Sequence, residues 1–138
     1  MTADLGYHLS TSAVPECLDR LHELLQAAWS DHPDVGLSDR TRFEIAVTEV
    51  AGNIVEHAAA GATLEILVSV HVTEPRLEAA FEDVGPAVDG DLGSAEMPDD
   101  LAESGRGLAL ARRAVDEVAY WREGPTNHWR VVRSRTGA

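Results

Sequence analysis

The alternation of apolar and polar residues in the first half of the chain predicts a short strand followed by two helices. Residues 7–10 have the pattern of an edge strand, and Ser12 is the candidate N-cap of a first helix that continues to His32. Ser38 is the candidate N-cap of a longer second helix, whose pattern fades at Ala60-Gly61. Both helices repeat apolar residues every three or four positions, as helices with one buried face do.

In the second half of the chain the apolar period first changes from that of a helix to that of a strand. Residues 63–73 and 76–83 alternate between apolar and polar positions, and together they predict a β-hairpin that turns at Glu74-Pro75. Residues 84–104 are rich in Gly, Pro, Asp and Ser without a sustained period. They predict a long loop, of the kind that is usually functional or mobile.

The remaining residues predict one more helix and a second pair of strands. The helix is expected from about Gly107 to Glu117. The strands are expected near 118–122 and 128–134, and the turn signal between them covers residues 124–127.

Composition limits the class of protein. With 138 residues, no internal repeat and no linker, the chain is expected to form one domain over residues 1–138. It has 11 arginines and no lysine against 24 Asp and Glu residues, for a formal net charge of −13. Such a chain repels a phosphate backbone, so we expect no direct nucleic-acid partner and favour a basic protein surface as partner.

Two further features bear on location and on thiol chemistry. No run approaches the roughly 18 apolar residues of a membrane span, and the chain opens with a polar stretch. We therefore expect a cytoplasmic protein without a membrane partner. The single cysteine, Cys17, lies in the first predicted helix and is interpreted as a small core residue rather than a reactive thiol.

The first candidate functional motif lies within residues 46–58 of the second predicted helix. Glu49 and Asn53 are four residues apart and share one face, with Glu56 and His57 a turn further along. A carboxylate and a carboxamide one turn apart can hold a proton acceptor beside a metal-bound water. Taken alone, the same pattern also fits an ordinary solvated helix face.

The second motif, Asp83-Val84-Gly85-Pro86-Ala87, follows the hairpin. An aspartate fixed at a strand end can accept a hydrogen bond from an exocyclic amine, and Gly85 lets the backbone pass close to a flat ring. The alternative is a strand that simply ends in a turn of Asp, Gly and Pro.

The third motif runs from Ser104 to Leu110, where the last helix is expected to begin. Gly105 and Gly107 would leave backbone N–H groups open to an anion at a helix N-terminus. The motif is not a Walker loop, since the chain has no lysine, and it lacks the third glycine of a dinucleotide-binding fingerprint. A plain glycine-capped helix start explains it equally well.

In this order the three motifs resemble the ATP-binding domain (the Bergerat fold) shared by gyrase, histidine kinases, MutL mismatch-repair proteins and heat-shock chaperones. The similarity is greatest to its small single-domain branch, the anti-sigma-factor serine/threonine kinases of bacterial stress and sporulation control. EVAGN with EHA is similar to the N box of this family, DVGPA to its G1 box and SGRGLALARRAVDEV to its G2 box. The resemblance covers about residues 10–133, and the order of three boxes is far more specific than any one box.

The resemblance implies a role for each motif residue. Glu49 would be the general base or orienter of the attacking hydroxyl, and Asn53 would bind Mg²⁺ through its side-chain oxygen. Asp83 would read the adenine amine, with residues 86–104 as a lid over the nucleotide. The nucleotide-binding residues implied in this way are Asn53, Asp83, Gly85, Ala87, Gly105, Arg106, Gly107 and Leu108.

Two positions depart from the family pattern. Ala87 stands where relatives often have a second glycine of the G1 box. If that position needs a left-handed backbone, alanine costs about 1–2 kcal/mol and would weaken ATP binding. Ala109 replaces a glycine of some G2 boxes, in a helix interior that favours alanine. Neither change affects the residues assigned to chemistry.

The resemblance also implies a fold, an activity and partners. The expected fold is α+β, a two-layer α/β sandwich with helices on one face of a mostly antiparallel mixed sheet. The expected protein is a homodimeric kinase that uses ATP and Mg²⁺. It would bind a sigma factor and phosphorylate an anti-anti-sigma antagonist of the STAS type.

Two other functions remain open. The protein could be a partner switch that sequesters a regulatory protein without catalysis, as Ala87 and the irregular lid would allow. A sensor histidine kinase needs a helical phosphoacceptor and dimerisation segment before this domain, and we expect none in the few preceding residues. His57 shares its helix with Asn53, the metal ligand that the resemblance implies, so it is interpreted as a packing residue or as a residue that supports that ligand, and not as the phosphoacceptor.

Overall fold

A computed structural model of the protein describes residues 6–58, 64–86 and 102–136, with the backbone alone at 57–58 and 102–106. Within these ranges the chain forms five strands and three helices. In chain order they are β1 (Tyr7–Ser12), α1 (Cys17–Asp31), α2 (Leu37–Ala58), β2 (Glu65–Val72), β3 (Arg76–Asp83), α3 (Ala102–Ala114), β4 (Glu117–Glu123) and β5 (Thr126–Ser134).

The strands form one sheet in the order β1-β2-β3-β5-β4, and each of its four pairings is antiparallel. Burial alternates along the strands, so one face of the sheet is packed and the other is open. The packed face carries Ile66, Val68 and Val70 of β2, Leu77, Ala79 and Phe81 of β3, and Trp129 and Val131 of β5. The helices cover this face, which confirms the predicted two-layer fold.

Helix α2 packs its apolar side into the core, as the sequence pattern predicted. Phe43, Val47 and Val50 are fully buried and Ile54 is 4% exposed. These residues recur every three or four positions, so a single side of the helix meets the sheet. Within the described ranges, none of the helices combines the length and the apolar character that a membrane-spanning segment requires.

Helix α1 lies against α2 and the first strand. The indole nitrogen of Trp29 donates a 2.7 Å hydrogen bond to Glu44 Oε2 of α2, and the Trp29 ring meets Phe43 edge-on. Cys17, the first residue of α1, is 3% exposed, and burial raises the pKa of its thiol. The interpretation of Cys17 as a core residue is therefore confirmed.

Two predicted helix caps are wrong. Ser12 belongs to β1, where it is paired with Glu65, and α1 begins only after Glu16. The second helix begins at Leu37, with the Arg40 amide bonded to the Gly36 carbonyl, so Ser38 lies inside the first turn. The sequence pattern indicated an edge strand over residues 7–10 only, whereas pairing with β2 extends β1 to Ser12.

The last hairpin is tighter than predicted. Strand β5 begins at Thr126, so the turn has only two residues, Gly124 and Pro125. Gly124 has a φ of 57°, which suits the glycine at the first central position of a two-residue hairpin turn. Thr126 and Asn127, which were expected in the turn, therefore belong to β5.

A buried ion pair joins the start of α2 to the end of the sheet. Asp39 is 1% exposed, and its Oδ1 accepts a 2.9 Å hydrogen bond from Arg133 Nε. Its Oδ2 accepts bonds from the amide and hydroxyl of Thr136, at 3.0 and 3.2 Å. Arg133 also donates to the Ala114 carbonyl at the end of α3. Burial alone would raise the pKa of Asp39, but the bonds from Thr136 and Arg133 outweigh it and hold that pKa below its ordinary value.

We predict that Asp39→Asn lowers the free energy of unfolding at neutral pH by about 3 kcal/mol, because Arg133 then stays buried without its counter-charge. The depressed pKa makes this contribution complete above the unfolded carboxyl value of about 3.9. The contribution disappears as the pH falls through the lower folded-state pKa. Urea unfolding of both proteins across this pH range should show the difference shrinking in acid.

The matched control is Asp19→Asn, because Asp19 also lies in the first turn of a helix but is exposed. It should change the free energy of unfolding by less than about 1 kcal/mol, the usual size of a helix-dipole contribution. Equal losses in the two variants would show that the dipole, and not the ion pair, stabilises the fold.

Candidate functional site

The side chain of Asn53 is buried without a hydrogen-bond partner. Asn53 lies on α2 and is 4% exposed, and in the described part of the chain neither its Oδ1 nor its Nδ2 has a partner. An unsatisfied buried amide costs about 1–3 kcal/mol. Native proteins satisfy nearly all buried polar groups, so this amide requires an explanation, as does the indole nitrogen of Trp129, which is also buried without a described partner.

Glu49 lies one turn before Asn53 and faces α3. A Cβ built on Gly107 would overlap Glu49 Oε1 and would lie 3.3 Å from its Cδ. The carboxylate thus fills the space that a side chain at position 107 would take. Beside it, a hollow of about 350 Å³ is lined by Thr41, Glu44, Ile45, Thr48, Glu49 and Leu110.

Glu56 and His57 are the other two residues of the first motif. Glu56 is exposed near the end of α2. The side chain of His57 lies outside the described residues, so its interpretation as a packing residue stays a prediction.

Asp83, at the end of β3, is 7% exposed and faces the helices. Its Oδ1 accepts a 2.8 Å hydrogen bond from the Gly85 amide and a 3.0 Å bond from Asn127 Nδ2. The bonds that the carboxylate accepts from described residues both end on Oδ1. Oδ2 is therefore the oxygen with remaining capacity to accept a donor, as the prediction for Asp83 requires.

Gly85 is needed for close packing. A Cβ at this position would lie 2.6 Å from Leu64 Cδ1 and 2.9 Å from Asp83 Oδ1, so any side chain would force both of them to shift. The backbone after β3 thus passes close to its protein neighbours, and the predicted contact of Gly85 with a flat ring stays a prediction. Ala87, and most of the proposed lid over residues 86–104, lie outside the described residues.

Sequence reasoning missed Asn127, which connects the second motif to the last hairpin. Asn127 is 2% exposed, and its Nδ2 also lies 3.2 Å from the Gly85 carbonyl and 3.0 Å from that of Pro86. The sequence pattern assigns Asn127 to the turn over residues 124–127. A period of two read from Thr126 would have placed it on the buried face with Trp129, which was the available signal.

The third motif does not lie where the sequence predicted. Helix α3 begins at Ala102, so Gly105 and Gly107 are inside its first two turns and not ahead of its N-terminus. The amides that lack an intrahelical acceptor are those of the N-cap and the first three helical residues, so neither Gly105 nor Gly107 provides one. The expected helix start at Gly107 is therefore wrong, because the segment from Ala102 adopts helical structure despite a cost of about 1 kcal/mol for each glycine.

Of two neighbouring residues in this motif, the side chain is described for Leu108 but not for Arg106. Leu108 is 6% exposed and belongs to the hydrophobic core, which anchors the helix at this point. The side chain of Arg106 lies outside the described residues.

The residues present fit a magnesium ion better than a protein-caged metal. Among the described residues, no group of three or more His, Cys, Asp or Glu side chains could hold a metal. Mg²⁺ needs only one or two protein oxygens when phosphates and water supply the rest. The unpartnered Oδ1 of Asn53 is a suitable oxygen, with the Glu49 carboxylate one turn away.

Comparison with known proteins places the chain in a family. Residues 11–133 match the family of histidine kinase-like ATPase domains. In fold the chain is similar to the structure of the RsbU and RsbW domains of Rv1364c from Mycobacterium tuberculosis, with a TM-score of 0.66, 19% identity, and coverage of 94% of this chain and 33% of that one. It is also similar to the histidine kinase domain of the blue-light-activated histidine kinase of Erythrobacter litoralis EL346, with a TM-score of 0.58, 19% identity, and coverage of 86% and 61%.

A third similar structure is the histidine kinase AdeS of Acinetobacter baumannii, with a TM-score of 0.50, 18% identity, and coverage of 93% of this chain and 68% of that one. At such identities these similarities show the fold alone. The chain spans about a third of the length of the Mycobacterium chain and about three-fifths of the Erythrobacter chain. No curated protein matches the chain in sequence.

The contrast between two buried asparagines gives a test of the site. We predict that Asn53→Leu raises the free energy of unfolding of the nucleotide-free protein by about 1–2 kcal/mol, since it replaces an unsatisfied amide with an apolar group of similar size. Asn127→Leu should lower the free energy of unfolding by about 2 kcal/mol or more, because it leaves several buried polar groups without their hydrogen-bond partner. Urea unfolding at unchanged m-value measures both.

The outcome for Asn53 separates a ligand site from a structural one. If Asn53→Leu destabilises the protein as much as Asn127→Leu does, the Asn53 amide is hydrogen-bonded within the protein and is not available to a ligand.

Proposed function

Because the chain belongs to the family of histidine kinase-like ATPase domains, we propose that it is an ATP-dependent anti-sigma-factor serine/threonine kinase. In this proposal it binds a sigma factor and phosphorylates a hydroxyl side chain of an anti-anti-sigma protein of the STAS type. The similarity in fold to the RsbU and RsbW domains of Rv1364c supports a partner-switching role. The N, G1 and G2 boxes of the sequence support nucleotide binding.

The observation that carries the proposal is the unpartnered amide of Asn53, buried one turn from Glu49. A protein gains no stability from such an amide, and a ligand that completes its bonds would account for it. In this proposal Asn53 Oδ1 would hold Mg²⁺, which when bound neutralises charge on the nucleotide phosphates.

The remaining contacts to the nucleotide follow from the other two motifs. Asp83 would accept a hydrogen bond from the adenine amine, and Gly85 would lie against the base. The phosphates would meet the backbone of residues 105–108, with Ala87 and the lid closing over them. Because Gly105 and Gly107 are helical in this structure, we propose that the first turns of α3 unwind when phosphate binds.

The proposed chemistry is in-line transfer of the γ-phosphoryl group. The hydroxyl oxygen of the protein substrate forms a bond to the γ-phosphorus while the bond to the bridging oxygen breaks, and ADP leaves. Glu49 orients this hydroxyl and accepts its proton on the carboxylate. Such transfer depends on positioning and on neutralising charge, so a site with few catalytic side chains is sufficient.

A specific observation favours the alternative function, a partner switch without catalysis. Glu49 is packed against Gly107, and the glycines expected to bind phosphate are part of a helix. A protein fixed in this arrangement would bind a partner and sequester it without turning over ATP. Stoichiometric capture of a partner with no phosphate transfer would support this alternative.

The proposed partners follow from charge and from the resemblance. A net charge of −13 suits a partner with a basic surface. The exposed residues Asp19, Arg20 and Glu23 on α1 are a candidate surface for partner binding or for a homodimer.

We predict that calorimetric titration will show micromolar ATP binding that weakens at least about tenfold without Mg²⁺ or in Asn53→Ala, the size of effect expected when one good contact is lost. Glu49→Gln should bind ATP with nearly unchanged affinity, because in this proposal its carboxylate acts on the hydroxyl and not on the nucleotide. No binding at millimolar ATP would overturn the proposal.

Transfer is tested with radiolabelled ATP and purified STAS-type proteins from the same organism. The wild type should label one of them on serine or threonine, and Glu49→Gln should label it at least about 100-fold more slowly, in the usual range for loss of a general base. Tight ATP binding without any labelled protein would favour the partner switch.

A further inference from the structure

Three residues form a row across neighbouring strands beside the second motif. Asp83 of β3 is paired with Asn127 of β5, and Asn127 is paired with Arg122 of β4. The row lies at the end of the sheet from which the Asp83–Pro86 segment leaves. It therefore reaches from the edge strand to the residue assigned to adenine.

The neighbours of Asn127 fix the orientation of its amide. Asn127 Oδ1 accepts bonds from Arg122 Nη1 at 2.8 Å and from the Tyr120 hydroxyl at 2.6 Å. Its Nδ2 faces the carbonyls of Gly85 and Pro86, which can only accept. Because Arg122 can only donate, the reversed amide would bring donor against donor and acceptor against acceptor.

The fixed amide in turn orients the Asp83 carboxylate. Nδ2 donates to Asp83 Oδ1, which also accepts the Gly85 amide, so both bonds hold the same oxygen. Arg122 Nη1 adds a 2.9 Å bond to the Gly85 carbonyl, which Asn127 Nδ2 also contacts, so both residues hold the loop at this carbonyl. Tyr120 is itself packed on Trp129, with ring centroids 4.8 Å apart.

We propose that Arg122, Asn127 and Tyr120 form a clamp that positions Asp83 to accept a hydrogen bond from the 6-amino group of a purine nucleotide. The clamp residues are positioning residues, since they act through Asp83 and the Gly85 backbone. With Oδ1 occupied, Oδ2 meets the ligand, and an amine satisfies it while the 6-oxo group of hypoxanthine or guanine places acceptor against acceptor. This inference rests on the proposed function and adds residues that make the site selective.

The main variant is Arg122→Met, because Arg122 is largely exposed and its loss leaves the core intact. The first measurement is hydrogen exchange of the Gly85 amide in nucleotide-free protein, followed by NMR. We expect exchange at Gly85 to become at least about tenfold faster, while Val70 and Val131 in the sheet core keep their rates.

The second measurement compares Kd values for ATP and for inosine triphosphate, which has a 6-oxo group. In Arg122→Met the Kd for ATP should rise about tenfold, the effect of one charge-assisted bond, and the Kd for inosine triphosphate should change much less. Loss of general stability would weaken both nucleotides equally and leave their ratio unchanged.

Two further variants complete the design. Arg76→Met removes the same charge from the opposite end of β3, where Arg76 lies 3.8 Å from Glu78, and it should alter neither Gly85 exchange nor the ratio of Kd values. Asn127→Asp turns the donor facing Asp83 into an acceptor, so in it the preference for ATP should fall further than in Arg122→Met.

The two possible failures are distinguishable. If the wild-type chain binds neither nucleotide, the proposed function is overturned, and so is the proposal that Asp83 selects a 6-amino purine. Wild-type ATP binding together with unaltered Gly85 exchange and an unaltered ratio in Arg122→Met overturns the clamp alone. Equal weakening of both nucleotides in Arg122→Met also overturns it.

Discussion

The burial of one side of α2 is the constraint on which the rest of the structure depends. Phe43, Val47 and Val50 leave no room for the helix to rotate, because exposing each of them would cost about 1.5–3 kcal/mol. Once that side is fixed against the sheet, the spacing of the chain determines where Glu49 and Asn53 point. The polar site is therefore positioned by apolar packing, and its own hydrogen bonds contribute little to holding it there.

Buried polar groups in this protein fall into two kinds. Asp39 and Asn127 use their polar atoms in bonds to several neighbours, and they tie helices, strands and loop together. Asn53 is buried to a similar degree but has no partner among the described residues. The first kind stabilises the fold, whereas the second, to which the indole nitrogen of Trp129 also belongs, lowers its stability.

Most of the fold could be predicted because apolar periodicity is strong in α2, β2 and β3. The helix starts could not, since Ser12 and Ser38 are reasonable caps and only long-range pairing with β2 assigns Ser12 to a strand. The start of α3 was missed for a similar reason, because glycine-rich residues 104–107 favour a loop locally but continue a helix that is anchored in the core by Leu108. The helix and strand positions of Glu49, Asn53 and Asp83 followed from local periodicity, whereas the contact of Asn127 with Asp83 was missed because it depends on pairing between distant strands.

The two-residue turn between β4 and β5 limits how this region can change in length. Arg122 and Asn127 face each other across it, three positions at most from Gly124-Pro125. Because side chains alternate between faces, inserting or deleting one residue here would turn one of the two toward the open face while the strands could still pair. The bond between Arg122 and Asn127 therefore constrains the length of this turn more tightly than strand pairing does. In related sequences that keep this row of residues, insertions should accumulate at other loops and avoid this one.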